Sequence, residues 1–116
     1  MAKVIRLKRV YEKPSTGDGY RILVDRVWPR GLTKKRARID HWVRDVAPST
    51  RLRKWFGHDP ARWAEFKRRY NAELKGKSGV LRELRHMLRE HSRATLVFGA
   101  RDEKHNNAVA LRPRLR

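Results

Sequence analysis

The stretch YRILVDRVWPRG, residues 20–31, decides the fold that this sequence predicts. Residues 20–27 are predicted to form a strand, and the continuous apolar run at residues 22–24 is typical of an interior strand that is covered on both faces. Residues 28–31 contain a proline and a glycine and end the strand. Polar side chains therefore follow directly on a buried strand.

Two further strands are predicted on either side of this stretch. Residues 3–10 alternate apolar with basic side chains, which is the period of a strand, and residues 94–98 form a third apolar run. The loop at residues 12–19 contains turn formers and no helix, which predicts that the first two strands are antiparallel, because a parallel crossover needs about a dozen residues or more. The second and third strands are separated by a long crossover and can lie parallel.

Helical patterns fill the interval between the second and third strands. A helix over residues 33–46 is predicted because four apolar residues recur on one helical face. These residues are Ile39, Trp42, Val43 and Val46. Ser49 and Asp59 are predicted N-caps of the next two helices, since both residue types accept hydrogen bonds from free backbone N–H groups. Residues 79–90 predict a fourth helix.

A terminal helix over residues 106–111 follows the third strand. The resulting order of strand, strand, helices, strand and helix predicts an α/β domain. We expect a small mixed, mainly parallel sheet of about three or four strands flanked by helices. The length of 116 residues predicts one domain over residues 1–116, because two domains would each be too small to bury a core.

Composition excludes several classes of protein. The chain has no cysteine, which excludes a disulfide framework, a thiolate zinc site and a cysteine nucleophile. No apolar run approaches the roughly 18 residues of a membrane span, and the first residues are interrupted by charge too early for a signal peptide. We therefore expect a soluble, cytoplasmic domain that does not bind membranes.

The net charge is strongly positive. The 31 Lys and Arg residues exceed the 12 Asp and Glu residues, so the formal charge is +19. Such a field attracts any polyanion, which predicts non-specific binding to nucleic acid at low salt. The alternative is a solvated basic surface, since basic runs at residues 34–36, 51–54, 67–69 and 112–116 are spread along the chain. No motif for sequence-specific nucleic-acid recognition is present.

The predicted ends of the second and third strands place polar residues at one edge of the sheet. Ligands in open α/β sheets bind outside the carboxyl ends of parallel strands. Residues that this geometry brings together are Arg26, Arg30, Arg101, Asp102, His105 and Asn106. Arginine forks are suited to carboxylate or phosphate, and an Asp102–His105 pair is suited to proton transfer. His58 follows Gly57, whose freedom to turn could direct the imidazole to the same edge.

Each of these residues also has a structural interpretation. Asp102 can cap a helix, and His105 can be a surface residue of the first helical turn. Arg30 and Arg101 can form ion pairs with Asp25 and Asp102. Trp28 and the neighbouring Pro29 can fill the bottom of the fold by packing alone. The aromatic stripe of the central helices is predicted to pack in the core rather than to stack on bases; it consists of Trp55, Phe56, Trp63, Phe66 and Tyr70.

Four segments resemble one known family. They are VDRVWPRG at residues 24–31, APST at 47–50, LRKWFGHD at 52–59 and ARDEKHN at 100–106. In this order they resemble the YeaO-like family, a bacterial and archaeal family of unknown function. The opening KRVY at residues 8–11 also looks like that family. The resemblance covers nearly the whole chain.

The resemblance implies that the polar and aromatic residues in these motifs act as a set. The set comprises Arg26, Trp28, Arg30, Ser49, Arg53, Trp55, His58, Arg101, Asp102, His105 and Asn106. It implies no reaction, because the family is uncharacterised. Within the set we predict His58, Asp102 and His105 as acid–base groups. The predicted ligand-binding residues are Arg26, Trp28, Arg30, Ser49, Arg53, Arg101 and Asn106.

Three functions are compatible with the sequence. The first is a small domain that binds a phosphorylated or carboxylated molecule, either as a binding protein or as an enzyme that acts on it. The second is a nucleic-acid-binding module that acts through bulk charge, and the third is an interaction module whose aromatic helices contact a protein. The five histidines lack metal-ligand spacing and no dinucleotide loop is present, so we expect no metal and no cofactor. The sequence does not predict an oligomeric state.

Overall fold

The computed structural model describes residues 4–116 and contains a four-stranded parallel sheet in the order β1-β4-β2-β3. The strands are β1 (Val4–Arg9), β2 (Tyr20–Leu23), β3 (His41–Trp42) and β4 (Arg93–Phe98). The predicted α/β class with a small, mainly parallel sheet is confirmed. Lys3, the first residue of the strand predicted over residues 3–10, lies outside the described residues.

The predicted antiparallel pairing of the first two strands is wrong. Strand β4 lies between β1 and β2 and is parallel to both. The side chains of β4 are buried on both faces of the sheet, with Leu96 and Phe98 on one face and Val97 on the other. The most apolar strand therefore takes the central position, and the connection from β1 to β2 crosses it with only a turn of 3-10 helix, Thr16–Asp18.

The predicted helix over residues 33–46 is also wrong. Its place is taken by α1 (Lys34–Ala37), by β3 and by a 3-10 turn, Arg44–Val46. Arg38 adopts a left-handed conformation with φ of 48° and ends α1 after one turn. Trp42 then pairs with Leu23 of β2, and its indole N–H donates to the carbonyl of Asp25 at 2.7 Å. Tertiary pairing of Trp42 thus overrides the helical period of this segment.

The remaining helices agree with the prediction. They are α2 (Thr50–Phe56), α3 (Trp63–Lys75), α4 (Ser78–Arg89) and α5 (Asn107–Leu111). Ser49 caps α2, because its side chain accepts a hydrogen bond from the backbone N–H of Leu52 at 3.1 Å. Asp59 caps a 3-10 turn, Pro60–Arg62, that leads directly into α3.

The two faces of the sheet carry cores of unequal size. Helices α2 to α5 cover one face and bury most of the large apolar side chains, among them Phe66, Tyr70 and Leu111. The other face holds a smaller core around Leu23 and Val97. Trp28, Leu32, Ile39 and Trp42 surround that smaller core. In the described part of the chain, no helix is long and apolar enough to cross a membrane.

A buried ion cluster anchors the chain just before β2. The Asp18 carboxylate accepts hydrogen bonds from Arg21 at 2.6 Å and from Lys8 at 3.1 Å, and we call these three residues the Asp18 cluster. Gly19 follows with φ of +65°, and a Cβ built there would lie 2.3 Å from the carbonyl oxygen of Arg93. Only glycine fits this close approach between the loop and β4.

Candidate functional site

A cavity of about 200 Å³ opens at the carboxyl ends of β2 and β4, and we call it the Asp25 pocket. This is the edge at which open α/β sheets bind ligands. Its walls are largely apolar and are formed by Val27, Ala47, Pro48, Phe56, Phe66, Gly99 and Ala100. Six polar residues line the remainder: Asp25, Arg26, Arg53, His58, Asn106 and Asn107. Apolar walls with a few polar groups are typical of sites for small molecules.

Asp25 is the acidic residue of the pocket. Its carboxylate accepts a hydrogen bond from the backbone N–H of Gly99 at 2.7 Å and one from the Asn107 amide at 3.1 Å. Burial raises the pKa of the Asp25 carboxyl, although these two hydrogen bonds and the charges of Arg53 and His58 act in the opposite direction. The negative charge of Asp25 is therefore only partly compensated inside the protein.

Three basic side chains line the pocket on the side of α2. The guanidinium of Arg26 donates to the carbonyls of Pro48 at 3.1 Å and Ala47 at 3.2 Å, so its position is fixed by the backbone that precedes α2. Arg53 projects from α2 and is exposed, and His58 lies just beyond the end of the same helix. Both line the pocket, and within residues 4–116 neither forms an ion pair with a carboxylate.

The chain places His58 by a local conformation that few residues adopt. Gly57 ends α2 with φ of 56°, and His58 follows with φ of 58°, also in the left-handed region. The turn brings the imidazole to the pocket, as the sequence predicted from Gly57. A left-handed conformation at a residue other than glycine stores strain, and such strain is concentrated at functional sites.

The predicted Asp102–His105 pair exists but does not line the Asp25 pocket. The imidazole Nδ1 of His105 lies 2.8 Å from the Asp102 carboxylate, and this hydrogen bond, with others from the backbone of Lys104 and His105, lowers the pKa of Asp102. The His105 ring packs edge-on against Trp63, with centroids 5.4 Å apart. Asp102 caps this turn, whereas Asn106 caps α5 by accepting from Val109 at 3.0 Å.

Four other predicted ligand-binding residues lie elsewhere. Trp28 packs edge-on against Trp42 on the opposite face of the sheet and donates to the carbonyl of Leu32 at 2.7 Å. The Ser49 hydroxyl donates to Glu73 at 2.6 Å in addition to capping α2. Arg30 and Arg101 are exposed on loops.

The alternative prediction, that Arg30 and Arg101 form ion pairs with Asp25 and Asp102, is wrong. Asp25 bonds Gly99 and Asn107, and Asp102 bonds His105. Within residues 4–116, neither carboxylate forms an ion pair with Arg30 or Arg101, and both arginines are exposed.

The aromatic stripe packs within the chain, as the sequence predicted. Phe56 stacks on Phe66 with centroids 4.3 Å apart. Trp55 and Trp63 are half-buried, and a basic side chain lies over each ring: the Arg69 guanidinium is 4.2 Å from the Trp55 ring centroid and the Lys67 ammonium is 5.4 Å from the Trp63 ring centroid. These rings are thus in use within the chain, which gives no support to an aromatic surface for a protein partner.

Sequence reasoning missed two residues of the pocket, Asp25 and Asn107. Asp25 entered only as a partner for Arg30, although a carboxylate that directly follows the buried run at residues 22–24 is itself a signal of a strand-end site. Asn107 lies in the first turn of α5 and donates both to Asp25 and to the carbonyl of Val24 at 3.0 Å. Its role depends on the docking of α5 against β2, which local sequence does not reveal.

A family model described as "Inactive DUF488-N3 subclade" matches residues 4–116. The chain belongs to the DUF488-N3i family. Its relatives include the uncharacterized protein YeaO of Escherichia coli K12, 38% identical over 112 residues that cover 97% of this chain and 96% of YeaO. The predicted YeaO-like family is thereby confirmed.

Two mycobacterial relatives are likewise uncharacterized proteins. The uncharacterized protein Rv3073c of Mycobacterium tuberculosis H37Rv is 44% identical over 107 residues, which cover 92% of this chain and 89% of the relative. The uncharacterized protein Mb3100c of Mycobacterium bovis matches to the same extent. No solved structure matches the chain. Among residues 4–116, no group of three or more His, Cys, Asp or Glu side chains could hold a metal ion.

Proposed function

We propose that this member of the DUF488-N3i family binds a small organic anion, carboxylated or phosphorylated, in the Asp25 pocket. The proposal rests on one observation: a concave, largely apolar cavity at the carboxyl ends of β2 and β4 is lined by Arg26, Arg53 and His58 against a single carboxylate. Arginine is the side chain best suited to hold a carboxylate or a phosphate, because its planar fork can donate two parallel hydrogen bonds.

The charge balance of the pocket supports an anionic ligand. Two arginines face one aspartate, so the pocket keeps an excess of positive charge even when His58 is neutral. The net charge of +19 adds a long-range field that draws anions towards the protein. An anion at Arg53 would supply the compensation that Asp25 does not provide through a direct hydrogen bond.

Asp25 favours a ligand that also carries a hydrogen-bond donor. Each oxygen of the carboxylate has about two acceptor positions, and Gly99 and Asn107 occupy one on each oxygen. A hydroxyl or ammonium group on the ligand can use the remaining positions. The rings of Phe56 and Phe66 offer an apolar surface for the body of the molecule. We therefore propose a small hydroxy acid, amino acid or sugar phosphate as the ligand class.

We propose that the protein binds its ligand without converting it, and two observations support this version of the proposal. The family description contains the word "inactive", and the pair Asp102–His105, which the sequence offered as acid and base, does not line the pocket. A catalytic role for His58, Asp102 and His105 stays a prediction, as does a cytoplasmic location.

The decisive comparison is between Arg53→Ala and Arg51→Ala. Both arginines are exposed on α2 and both variants lose one charge, but only Arg53 lines the pocket. Wild type is screened by thermal shift against hydroxy acids, amino acids and sugar phosphates, and the affinity of each compound that stabilises it is measured by calorimetry. We expect Arg53→Ala to weaken binding by about 10- to 100-fold, the loss of one charge-assisted hydrogen bond. Arg51→Ala should bind as wild type does.

Two results would contradict the proposal. One is the absence of any stabilising compound in all three classes. The other is an equal loss of affinity in both variants, which would show that the anion responds to total charge and not to the pocket.

A further inference from the structure

A second concentration of positive charge lies on the other face of the sheet. An open groove runs between the loop after β1 and the segment around α1, and its walls carry Lys13, Lys35, Arg36 and Arg38. All four side chains belong to exposed residues. Pro14, Gly31 and Thr33 complete the lining. We call this site the basic groove, and it shares no residue with the Asp25 pocket.

Among the residues that the structure describes, 4–116, no acidic side chain lines the basic groove. Four cations within one groove repel each other, and in the Asp25 pocket the cations face at least one carboxylate. Uncompensated repulsion of this kind is relieved when a polyanion binds, because its charges neutralise the cations while the cations displace the counterions condensed on the polyanion. The charge pattern of the groove is therefore that of a surface for an extended anion.

The walls of the groove are held in place by the folded core. The carbonyls of Ala37 and Arg38 accept hydrogen bonds from the guanidinium of the buried Arg21, at 2.8 and 3.1 Å. Arg21 is itself bonded to Asp18. The Tyr11 hydroxyl, in the loop after β1, donates to the carbonyl of Arg30, the residue before Gly31, at 2.9 Å and so joins the two walls. The groove is thus preorganised, which reduces the entropy lost when a ligand binds.

We infer that the basic groove docks the phosphate backbone of a double-stranded nucleic acid. Contacts to backbone phosphates need only placed cations, and these dominate non-specific affinity. In the described part of the chain no aromatic side chain lines the groove, so it lacks the stacking platform on which single strands bind. It also lacks the aromatic or large apolar side chains that form the centre of a protein interface or enter a membrane.

The test compares two double variants that lose the same charge. Lys35→Ala/Arg36→Ala removes two cations from the groove, and Arg82→Ala/Arg89→Ala removes two exposed cations from α4 on the opposite face. Binding to labelled duplex DNA and duplex RNA of about two helical turns is measured by fluorescence anisotropy between about 50 and 200 mM salt. The matched single strands and vesicles with anionic lipid are measured in parallel, and circular dichroism verifies that both variants are folded.

We expect the groove variant to bind duplexes about 10-fold more weakly and to show a salt slope reduced by about two, whereas the α4 variant keeps the wild-type slope. The DNA and RNA arms then show which duplex is preferred. Equal losses in both variants would overturn the inference, because they would assign binding to bulk charge. Tighter binding to single strands than to duplexes, or binding to vesicles without binding to duplexes, would also overturn it. None of these three results bears on the Asp25 pocket.

Discussion

Asp18 and Asp25 flank the same strand, β2, and their carboxyl groups are held in opposite ways. Asp18 accepts hydrogen bonds from Lys8, from Arg21 and from Ser15. Burial alone would raise its pKa, but these bonds outweigh burial and lower the pKa to about 2. Asp25 accepts hydrogen bonds from two neutral donors, and burial keeps its pKa above the ordinary value.

This difference in hydrogen-bond partners distinguishes a carboxylate whose charge is neutralised within the fold, Asp18, from one whose charge is open to a ligand, Asp25. In the Asp18 cluster, two cations bond the carboxylate directly, and Arg21 in turn bonds the carbonyls that form one wall of the basic groove. At Asp25, Arg53 acts on the carboxyl only through the electric field. A partly compensated carboxylate at a cavity is the pattern expected of a functional site, whereas a fully paired buried carboxylate is one that the fold cannot lose without leaving its cation unpaired.

The largest effect is expected from breaking the structural side of this comparison. Asp18→Ala leaves the buried guanidinium of Arg21 without its carboxylate. We expect the free energy of unfolding to fall by about 3–5 kcal/mol, because an unpaired buried charge is strongly destabilising. Chemical denaturation measures the change, with Asp45→Ala, an exposed aspartate, as the control at less than about 0.5 kcal/mol. A small loss for Asp18→Ala would show that water or a rearranged Arg21 replaces the ion pair.

The sequence predicted a larger part of the fold than of the site. Helices α2 to α5 and strand β4 follow from local patterns with their own caps, such as Ser49 and Asp59. Strand β3 does not, because the apolar period around Trp42 suits a helix and only pairing with β2 makes it a strand. The antiparallel pairing predicted for β1 also failed, because it did not consider that β4 could enter between β1 and β2.

For the site, the sequence could predict the edge of the sheet but not every side chain that faces it. Arg26 and His58 line the pocket as expected, since one follows a buried strand and the other follows a glycine that permits a sharp turn. Arg30 comes from the same loop as Arg26, and Arg101 comes from the loop after β4, but both remain at the surface. Which arginine turns inward depends on available partners, such as the carbonyls of Pro48 and Ala47 that hold Arg26.

A smaller effect, of opposite sign at the two aspartates, is expected from pH. The folded-state pKa of Asp18 is lowered from 3.8 to about 2, so its contribution is present above pH 3.8 and is lost as pH falls towards 2. The folded-state pKa of Asp25 is raised, so its contribution is present below pH 3.8 and is lost as pH rises through the higher folded-state pKa. Each unit of pKa shift corresponds to about 1.4 kcal/mol.

Unfolding free energies of wild type, Asp18→Asn and Asp25→Asn between about pH 2 and pH 8 measure these contributions. The advantage of wild type over Asp18→Asn should shrink by about 2 kcal/mol as pH falls through the window from 3.8 to about 2. Relative to wild type, Asp25→Asn should gain stability as pH rises above 3.8. Parallel pH profiles for the two variants would show that the two carboxylates are compensated alike.

The smallest effect concerns the left-handed residue that each region contains, Arg38 beside the Asp18 cluster and His58 at the pocket. Glycine at either position removes the strain, and this gain exceeds the cost of the chain entropy that glycine adds to the unfolded state, so Arg38→Gly and His58→Gly should each raise the free energy of unfolding by about 0.5 kcal/mol. What Arg38 contributes to the Asp18 cluster is its carbonyl, bonded to Arg21, and glycine retains that group. What His58 contributes to the pocket is its imidazole, which glycine lacks. Anion affinity measured by calorimetry should therefore fall in His58→Gly and stay unchanged in Arg38→Gly. A loss of stability in Arg38→Gly would contradict this expectation, because it would show that the Arg38 side chain stabilises the fold by more than its left-handed backbone conformation costs.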